Sequence, residues 1–165
     1  MTLTPSSGFP YYISLLQDQD YTSLFLSRTN FDLLSSISEQ QSSFRYTVGK
    51  WSVKQIVGHM ADHERIMIYR ALRFSRKDAA ELPGYDQDPY VDNARFDEIL
   101  FTDLVQDFQN VRAATISFMM MLSDEQLACK GTASRTLISV EDLLKATIGH
   151  ELHHMSILKE KYFKV

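Results

Sequence analysis

Cysteine is almost absent from this chain of 165 residues, which contains only Cys129. One cysteine excludes an internal disulfide framework, and it also excludes a zinc site built from several thiolates. Any metal ion would therefore be held by histidine and carboxylate side chains. A lone thiol also suits a reducing compartment, so we expect a cytoplasmic protein.

An excess of positive charge is also lacking. Lys and Arg number 17 against 21 Asp and Glu, which gives a net charge of −4, and the basic residues form no block. Neither nucleic acid nor an anionic membrane is therefore an expected partner. The N-terminus has no basic segment followed by an apolar stretch, and Thr115 and Ser117 interrupt the longest apolar run at residues 113–122.

Helical periodicity dominates the chain, and no long stretch alternates with the two-residue period of a strand. The pattern predicts four helices, at residues 20–37, from the Ser52 N-cap to residue 75, at 102–122, and from residue 140 to 163. Ser52 and Gln55 have the spacing of a capping box, which marks the clearest helix start. We expect an all-α, four-helix bundle formed by a single domain over residues 1–165.

The connection between helices two and three, residues 76–97, is unusually long. Its segment 83–90 contains two prolines and a glycine, so we expect it to be non-helical. A loop of that length in a compact bundle is often functional. The predicted architecture is therefore a bundle with one long crossover loop.

All five histidines lie in two copies of the pattern Gly-His-x-x-x-His, GHMADH and GHELHH. Side chains four residues apart share one helix face, so each pair could bind one metal ion. His150 and His154 lie on the apolar seam of helix four, and His59 and His63 lie inside or at the edge of the buried arc of helix two. An unsatisfied buried imidazole nitrogen costs about 1–3 kcal/mol, so either a metal or hydrogen bonds to backbone or carboxylate oxygens must satisfy it.

Three established metal architectures fit this spacing less well. The string His150-Glu151-x-x-His154 matches the zincin protease pattern, in which two histidines bind zinc and the glutamate is the general base. Zincins need a further ligand downstream, and the acidic candidate, Glu160, projects about 120° away from His154. A di-iron carboxylate bundle needs a second Glu-x-x-His, and a hemerythrin-like centre needs histidines on helices one and three. The sequence has neither.

Four segments resemble the DinB-like superfamily, namely GKWSVKQIVGH at 49–59, RALRF at 70–74, LPGYDQD at 82–88 and GHELHH at 149–154. They occur in the order of the family, and the resemblance as a whole spans about residues 11–162. The resemblance implies up-down-down-up connectivity and a metal held by one histidine of helix two and a pair of helix four. These are His59, His150 and His154. The family varies at the position of His63, which we expect to be a pocket residue or a fourth ligand.

The resemblance implies less about the reaction. Characterised relatives include transferases and isomerases that use a low-molecular-weight thiol such as bacillithiol, mycothiol or glutathione, and others are described as metal-dependent hydrolases. A divalent ion such as Zn, Ni, Fe, Co or Mn would activate a bound water or deprotonate a cosubstrate thiol. The chain has no evident nucleophile of its own, since Cys129 precedes helix four. The hypotheses are a thiol-dependent S-transferase, a metal-dependent hydrolase, or a non-catalytic bundle that a metal stabilises.

Four further side chains are candidates for a pocket that binds a small-molecule substrate. Arg70 lies two turns from His63, and Arg112 interrupts the apolar stripe of helix three. Each arginine could bind an anionic group or pair with an acidic residue at a helix surface. Tyr85 and Asp88, in the long connection, could cover the mouth of the pocket. The amphipathic helices also leave room for a homodimer.

Overall fold

The computed structural model describes residues 2–163, and 65% of the chain is helical. The α-helices are α1 (Phe9–Ser14), α2 (Tyr21–Leu26), α3 (Thr29–Ser35), α4 (Glu39–Ser42), α5 (Val53–Ser75), α6 (Gln87–Asn93), α7 (Phe101–Met119), α8 (Asp124–Ala128) and α9 (Val140–Ile157). The strands are β1 (Lys130–Ala133) and β2 (Thr136–Ser139), and short 3-10 turns occupy Pro5–Ser7 and Phe96–Glu98. A π-helical turn, Leu158–Phe163, extends α9. Each helix within residues 2–163 is too short or too polar to cross a lipid bilayer.

The bundle has four members, which are the α2–α3 pair, α5, α7 and α9. Helices α5 and α7 run parallel. Their first residues lie close together, as shown by the hydrogen bond that the Ser52 hydroxyl just before α5 donates to the Asp97 carboxylate just before α7 (2.6 Å). Helix α9 runs in the opposite direction. The Tyr162 hydroxyl beyond its end donates to the Trp51 backbone oxygen before α5 begins (2.7 Å).

The α2–α3 pair runs antiparallel to α7. The end of α3 lies beside the start of α7, where Glu39 accepts a hydrogen bond from the Phe101 N–H (2.8 Å). The connectivity is therefore up-down-down-up, and the predicted four-helix bundle is confirmed. The single helix predicted over residues 20–37 is wrong, since two helices are present there. The break lies at Ser27, whose extended backbone ends α2 and whose hydroxyl accepts from the Thr29 N–H (3.3 Å).

The other three predicted helices agree closely with the structure. The capping box that begins α5 is present, with the Ser52 hydroxyl accepting from the Gln55 N–H and the Gln55 side chain accepting from the Ser52 N–H. The Ser139 hydroxyl likewise accepts from the Asp142 N–H at the start of α9 (3.0 Å). Helix α7 ends at Met119, three residues before the predicted end at residue 122.

One prediction about the connections is wrong, and a second connection contains an element that the sequence pattern did not predict. The long crossover contains α6, which begins after the Asp86 N-cap and places Pro89 in its first turn, where a missing N–H costs no intrahelical hydrogen bond. The connection before α9 contains the antiparallel β1–β2 hairpin, whose strands have only four residues each and so are too short to show a clear alternation. The crossover pairs with this hairpin, because the Leu82 N–H donates to the Thr132 oxygen (2.9 Å).

The apolar core divides into two clusters, separated by a layer of polar side chains. One cluster contains Ile56, Met60, Phe101, Phe108 and Met155, among others. The second contains Met67, Phe74, Met119, Leu143 and Ile148, among others. The polar layer between them consists of Asn30, Glu64, Arg112 and Glu151, so each member of the bundle contributes one side chain to it.

Candidate metal centre

Three imidazoles meet in the bundle interior beside the polar layer. His59 comes from α5, and His150 and His154 come from successive turns of α9. The His150 Nε2 atom lies 3.1 Å from His59 Nε2 and 3.1 Å from His154 Nε2, and one ligand atom from each residue lies within 4.8 Å of the others. All three residues are buried. We call them the three-histidine cluster.

Burial keeps these imidazoles neutral. It lowers the pKa of His59 to about 4, and it holds the pKa values of His150 and His154 well below the usual range, with neighbouring histidines adding to the effect. Neutral imidazoles have a free lone pair, which is the form that binds metal ions.

The spacing also fits a metal ion. Zinc–nitrogen bonds of about 2.0–2.1 Å at a tetrahedral ion would separate the nitrogens by about 3.3 Å, close to the 3.1 Å observed. Hydrogen bonds satisfy the arrangement poorly, because the single lone pair of His150 Nε2 would have to serve two donors. The donor set therefore fits a divalent transition metal, although its binding here remains a prediction.

The glycine before each leading histidine lets another segment reach the cluster. A Cβ atom at Gly58 would lie 2.5 Å from the Phe96 ring, and a Cβ atom at Gly149 would lie 2.0 Å from the Tyr12 backbone oxygen. Close approach at Gly149 brings the Tyr12 ring edge-on to His150, with 5.2 Å between centroids. Packing is thus the reason for both helical glycines.

His63 lies beside the three-histidine cluster but is not one of its converging ligands. Its ring stacks on His150 with 3.7 Å between centroids and an interplanar angle of 18°. Its Nδ1 atom is hydrogen-bonded to the Tyr85 hydroxyl (2.8 Å). The structure thus places His63 and Tyr85 next to the histidines, and the role of His63 as a pocket residue or a fourth ligand stays a prediction.

His153 and Trp51 also lie next to the three-histidine cluster. The His153 Nδ1 atom is hydrogen-bonded to the Tyr11 hydroxyl (3.0 Å), so this histidine points away from the converging nitrogens. Trp51 lies with its ring centroid 4.9 Å from that of His59, and it stacks at 6.5 Å from His154. The chain contains one tryptophan. Its fluorescence should therefore report on the cluster.

Two cavities border the histidines. One, of about 340 Å³, is lined by His154, Trp51 and Asp88, with His153 also in its wall. The other, of about 310 Å³, is lined by His63 and Tyr12. Asp88 therefore lines a cavity beside His154, and its predicted place at the mouth of a substrate pocket stays a prediction.

Arg112 lies in the polar layer and does not line either cavity. Its guanidinium donates to both Glu64 oxygens (2.7–3.2 Å) and to Glu151, and it lies over the Phe25 ring at 4.9 Å. The alternative prediction, an ion pair with an acidic residue, is right about the pairing but wrong about its place at a helix surface, because all three charged groups are buried. Its Nη1 atom has no hydrogen-bond partner among residues 2–163.

Glu151, the glutamate of the zincin-like string His150-Glu151-x-x-His154, belongs to the same polar layer. One Glu151 oxygen accepts a hydrogen bond from the Asn30 side chain (2.7 Å), and the other contacts Arg112. Both oxygens are thus occupied away from the converging imidazoles. Glu151 therefore holds helices together and is not placed to act as a general base at the cluster.

Sequence reasoning missed three residues around the site. Glu64 left a signal, because it interrupts the apolar stripe of α5 just as Arg112 interrupts that of α7, and two interruptions on packed helices suggest a buried pair. Trp51 directly precedes the Ser52 N-cap, where an apolar residue typically packs on the first turn of the helix, so its position gave no sign of contact with the histidines. Tyr12 left no signal, because its approach to Gly149 joins residues that are distant in sequence.

The fold and the site define an up-down-down-up four-helix bundle with three converging histidines in its interior. This chain belongs to the DinB superfamily, whose family model matches residues 27–158.

Two known proteins are similar to it. A protein of Oceanobacillus iheyensis named "Putative metal-dependent hydrolase" is 23% identical over 130 residues, which cover 78% of this chain and 74% of that protein. The solved structure of YfiT from Bacillus subtilis, described as "a probable metal-dependent hydrolase with an unusual four-helix bundle topology", matches with a TM-score of 0.74. That match covers 99% of this chain and 90% of YfiT at 15% identity, so it supports the fold alone.

Proposed function

We propose that this protein is a metal-dependent enzyme whose divalent transition-metal ion is held by His59, His150 and His154. The observation that carries the proposal is the convergence of three buried, neutral Nε2 atoms at the edge of a cavity. Hydrolysis is the first reaction class to test, because the relative from Oceanobacillus iheyensis is named as a metal-dependent hydrolase.

The protein groups would provide a site that is open on one side. A divalent ion with three neutral ligands supplies a Lewis acid that lowers the pKa of a coordinated water or thiol. Three protein ligands leave at least one coordination position, and the cavity beside His154 gives a small molecule access to it. Trp51 supplies an apolar wall, and Asp88 a polar one, to the same cavity.

We expect the nucleophile to come from outside the protein, because the one cysteine of the chain lies away from the histidines. The Cys129 thiol lies beyond α8, where its Sγ contacts the Glu125 backbone oxygen at 3.4 Å, and it lines neither cavity beside the histidines. A water molecule would serve a hydrolase, and a low-molecular-weight thiol would serve an S-transferase. Because Cys129 is the one thiol of the chain and lies away from the cluster, a thiolate at the metal would have to come from a cosubstrate, and this keeps the thiol-dependent transferase as a second candidate.

The first experiment is elemental analysis of protein purified without a histidine tag. We expect near-stoichiometric divalent metal in the wild type, loss of that metal in His154→Ala, and retention in His153→Ala, whose imidazole is hydrogen-bonded to Tyr11. Equal metal content in all three proteins would contradict the assigned ligands. If reconstituted wild type bound no metal, the histidines would be only a packed polar cluster.

Cobalt substitution separates the two reaction classes. Titration of bacillithiol or glutathione into the cobalt protein should give a thiolate-to-cobalt charge-transfer band if a thiol is the cosubstrate. Turnover of a panel of esters and amides without that band would support hydrolysis. A protein that binds metal but shows neither response would contain a structural ion in a non-catalytic bundle.

A further inference from the structure

Arg70 on α5 is a buried cation that forms no ion pair within residues 2–163. The residue is 4% exposed. Its guanidinium donates to the Pro83 backbone oxygen (2.7 Å), to the Ser134 hydroxyl (3.4 Å) and to the Met67 sulfur (3.5 Å). The Ser134 bond is long and the sulfur is a weak acceptor, so a group with five donor hydrogens is poorly satisfied.

The two buried arginines of the bundle differ in this respect. Glu151 and Glu64 surround Arg112 with negative charge, and they raise its pKa against the opposing effect of burial. Burial lowers the pKa of Arg70, because no carboxylate offsets the cost of removing its charge from water. A buried charge without a counter-charge is costly, and such charges are normally paired.

Contacts of the histidines and of Arg70 lead to the same cavity, through His63 on one side and Ser134 on the other. His63 stacks on His150, and its Nδ1 atom is bonded to the Tyr85 hydroxyl. Ser134, which Arg70 contacts, lines the same cavity of about 310 Å³ as His63. Arg70 itself does not line that cavity, but a small molecule there could contact Ser134 at one end, take its place as a partner of Arg70, and contact His63 beside the three-histidine cluster at the other.

Another cavity lies beside the two oxygen partners of the Arg70 guanidinium. It has a volume of about 580 Å³, and its walls include Pro83 and Ser134, the two oxygen partners of the guanidinium. Glu81 and Arg135 also line it, and their formal charges cancel. Arg70 therefore supplies the uncompensated positive charge at this place.

We propose that Arg70 binds a carboxylate of the substrate, so that the enzyme acts on small molecules that bear a carboxylate. This inference rests on the proposed function, because it assigns the anionic part of the molecule that reacts at the three-histidine cluster. The carboxylate replaces the long Ser134 hydrogen bond and pairs with the planar fork of the guanidinium.

A carboxylate fits this position better than a phosphate does. One guanidinium neutralises one unit of negative charge, whereas a phosphate group carries about −1.5 to −2 at pH 7. With Glu81 and Arg135 cancelling each other, a phosphate would keep part of its charge uncompensated in a mostly buried site.

The test is an NMR titration of the metal-free, full-length protein. Sodium succinate is the probe, and succinamide is its uncharged control. The Arg70 Nε–Hε signal, assigned by its loss in Arg70→Lys, should shift and saturate with succinate and stay unchanged with succinamide. Arg73, on the same helix but paired with Asp78 at 2.5 Å, provides the matched control signal, which should not move.

Variants measure the contribution of the guanidinium. Arg70→Gln should weaken succinate binding by about 10- to 100-fold, as expected for loss of a charged hydrogen-bond pair. Arg70→Lys should fall between that variant and the wild type, and Arg73→Gln should bind as the wild type does. Equal shifts with succinamide, or equal affinity in Arg70→Gln, would overturn the proposal. Should Arg70→Gln fail to fold by circular dichroism, the wild-type titration and Arg70→Lys still decide the result.

Failure of this inference can be told apart from failure of the proposed function. Because the titration uses metal-free protein, succinate cannot bind through a metal ion. If Arg70 responds to succinate in a protein that cannot be loaded with metal, the carboxylate site is supported and the proposed metal-dependent function is contradicted. If the protein binds metal at the histidines but Arg70 does not respond to succinate, the proposed function stands and only the carboxylate site at Arg70 is contradicted.

Discussion

Acid should destabilise the metal-free protein through its buried histidines. Burial lowers the pKa of His59 to about 4, whereas an unfolded histidine titrates near 6.5. As the pH falls below 6.5 the unfolded state takes up a proton that the folded state does not bind. The free energy of unfolding therefore has its full value above about pH 6.5, and it falls as the pH decreases toward 4.

The size of the effect follows from the difference in pKa. One pKa unit corresponds to about 1.4 kcal/mol, so His59 alone lowers the free energy of unfolding by about 2 kcal/mol at pH 5 and by about 3 kcal/mol at pH 4. The pKa values of His150 and His154 are also well below the usual range, so their contributions have the same sign. The total free energy of unfolding of a small domain is about 5–15 kcal/mol, so a loss of this size is easy to measure.

Urea unfolding in the presence of a chelator, followed by circular dichroism between pH 4 and 8, measures this loss. In His59→Gln the difference in stability between pH 7 and pH 5 should shrink by about 2 kcal/mol, whatever the stability of the variant at pH 7. A wild type whose stability stays within about 0.5 kcal/mol between pH 7 and pH 5 would refute the reasoning.

Three further predictions concern packing and metal binding. Arg112→Met should lower the free energy of unfolding by about 3–5 kcal/mol in urea, because it leaves two buried carboxylates unpaired, and a triple variant that also makes both partners leucine should recover most of the loss. Gly149→Ala should cost about 1–3 kcal/mol despite the better helix propensity of alanine, because the Tyr12 oxygen cannot move aside without shifting α1, and thermal unfolding would show it. Cobalt or nickel titration should quench Trp51 fluorescence in the wild type and not in His154→Ala, and equal quenching in both would place the metal elsewhere.

The sequence predicted most of the bundle because its signals were local. The Ser52 capping box and the Ser139 N-cap marked the starts of α5 and α9, and the periodicity gave their lengths. The break at Ser27 and the β1–β2 hairpin were missed for a physical reason. Each depends on one or two hydrogen bonds within a few residues, which periodicity over a longer window cannot resolve.

The histidine motifs predicted which rings would meet, because four-residue spacing fixes a common face on each helix. Sequence reasoning could not place Arg70 and Arg112 in different surroundings, since each arginine could either bind an anionic group or pair with an acidic residue. Their roles depend on which carboxylates the neighbouring helices bring near, and only the packed bundle shows that Glu64 and Glu151 pair with Arg112 and not with Arg70.

The polar layer also has a consequence for alignment along the bundle axis. Sliding one helix past another by a single turn moves it about 5.4 Å, which exceeds the 3.1 Å between the His59 and His150 nitrogens. Apolar side chains would tolerate such a slip, whereas the layer would lose its hydrogen bonds and leave Arg112 among unpaired carboxylates. Because all four members contribute to it, the layer fixes the axial register in which the histidines of α5 and α9 stand opposite each other.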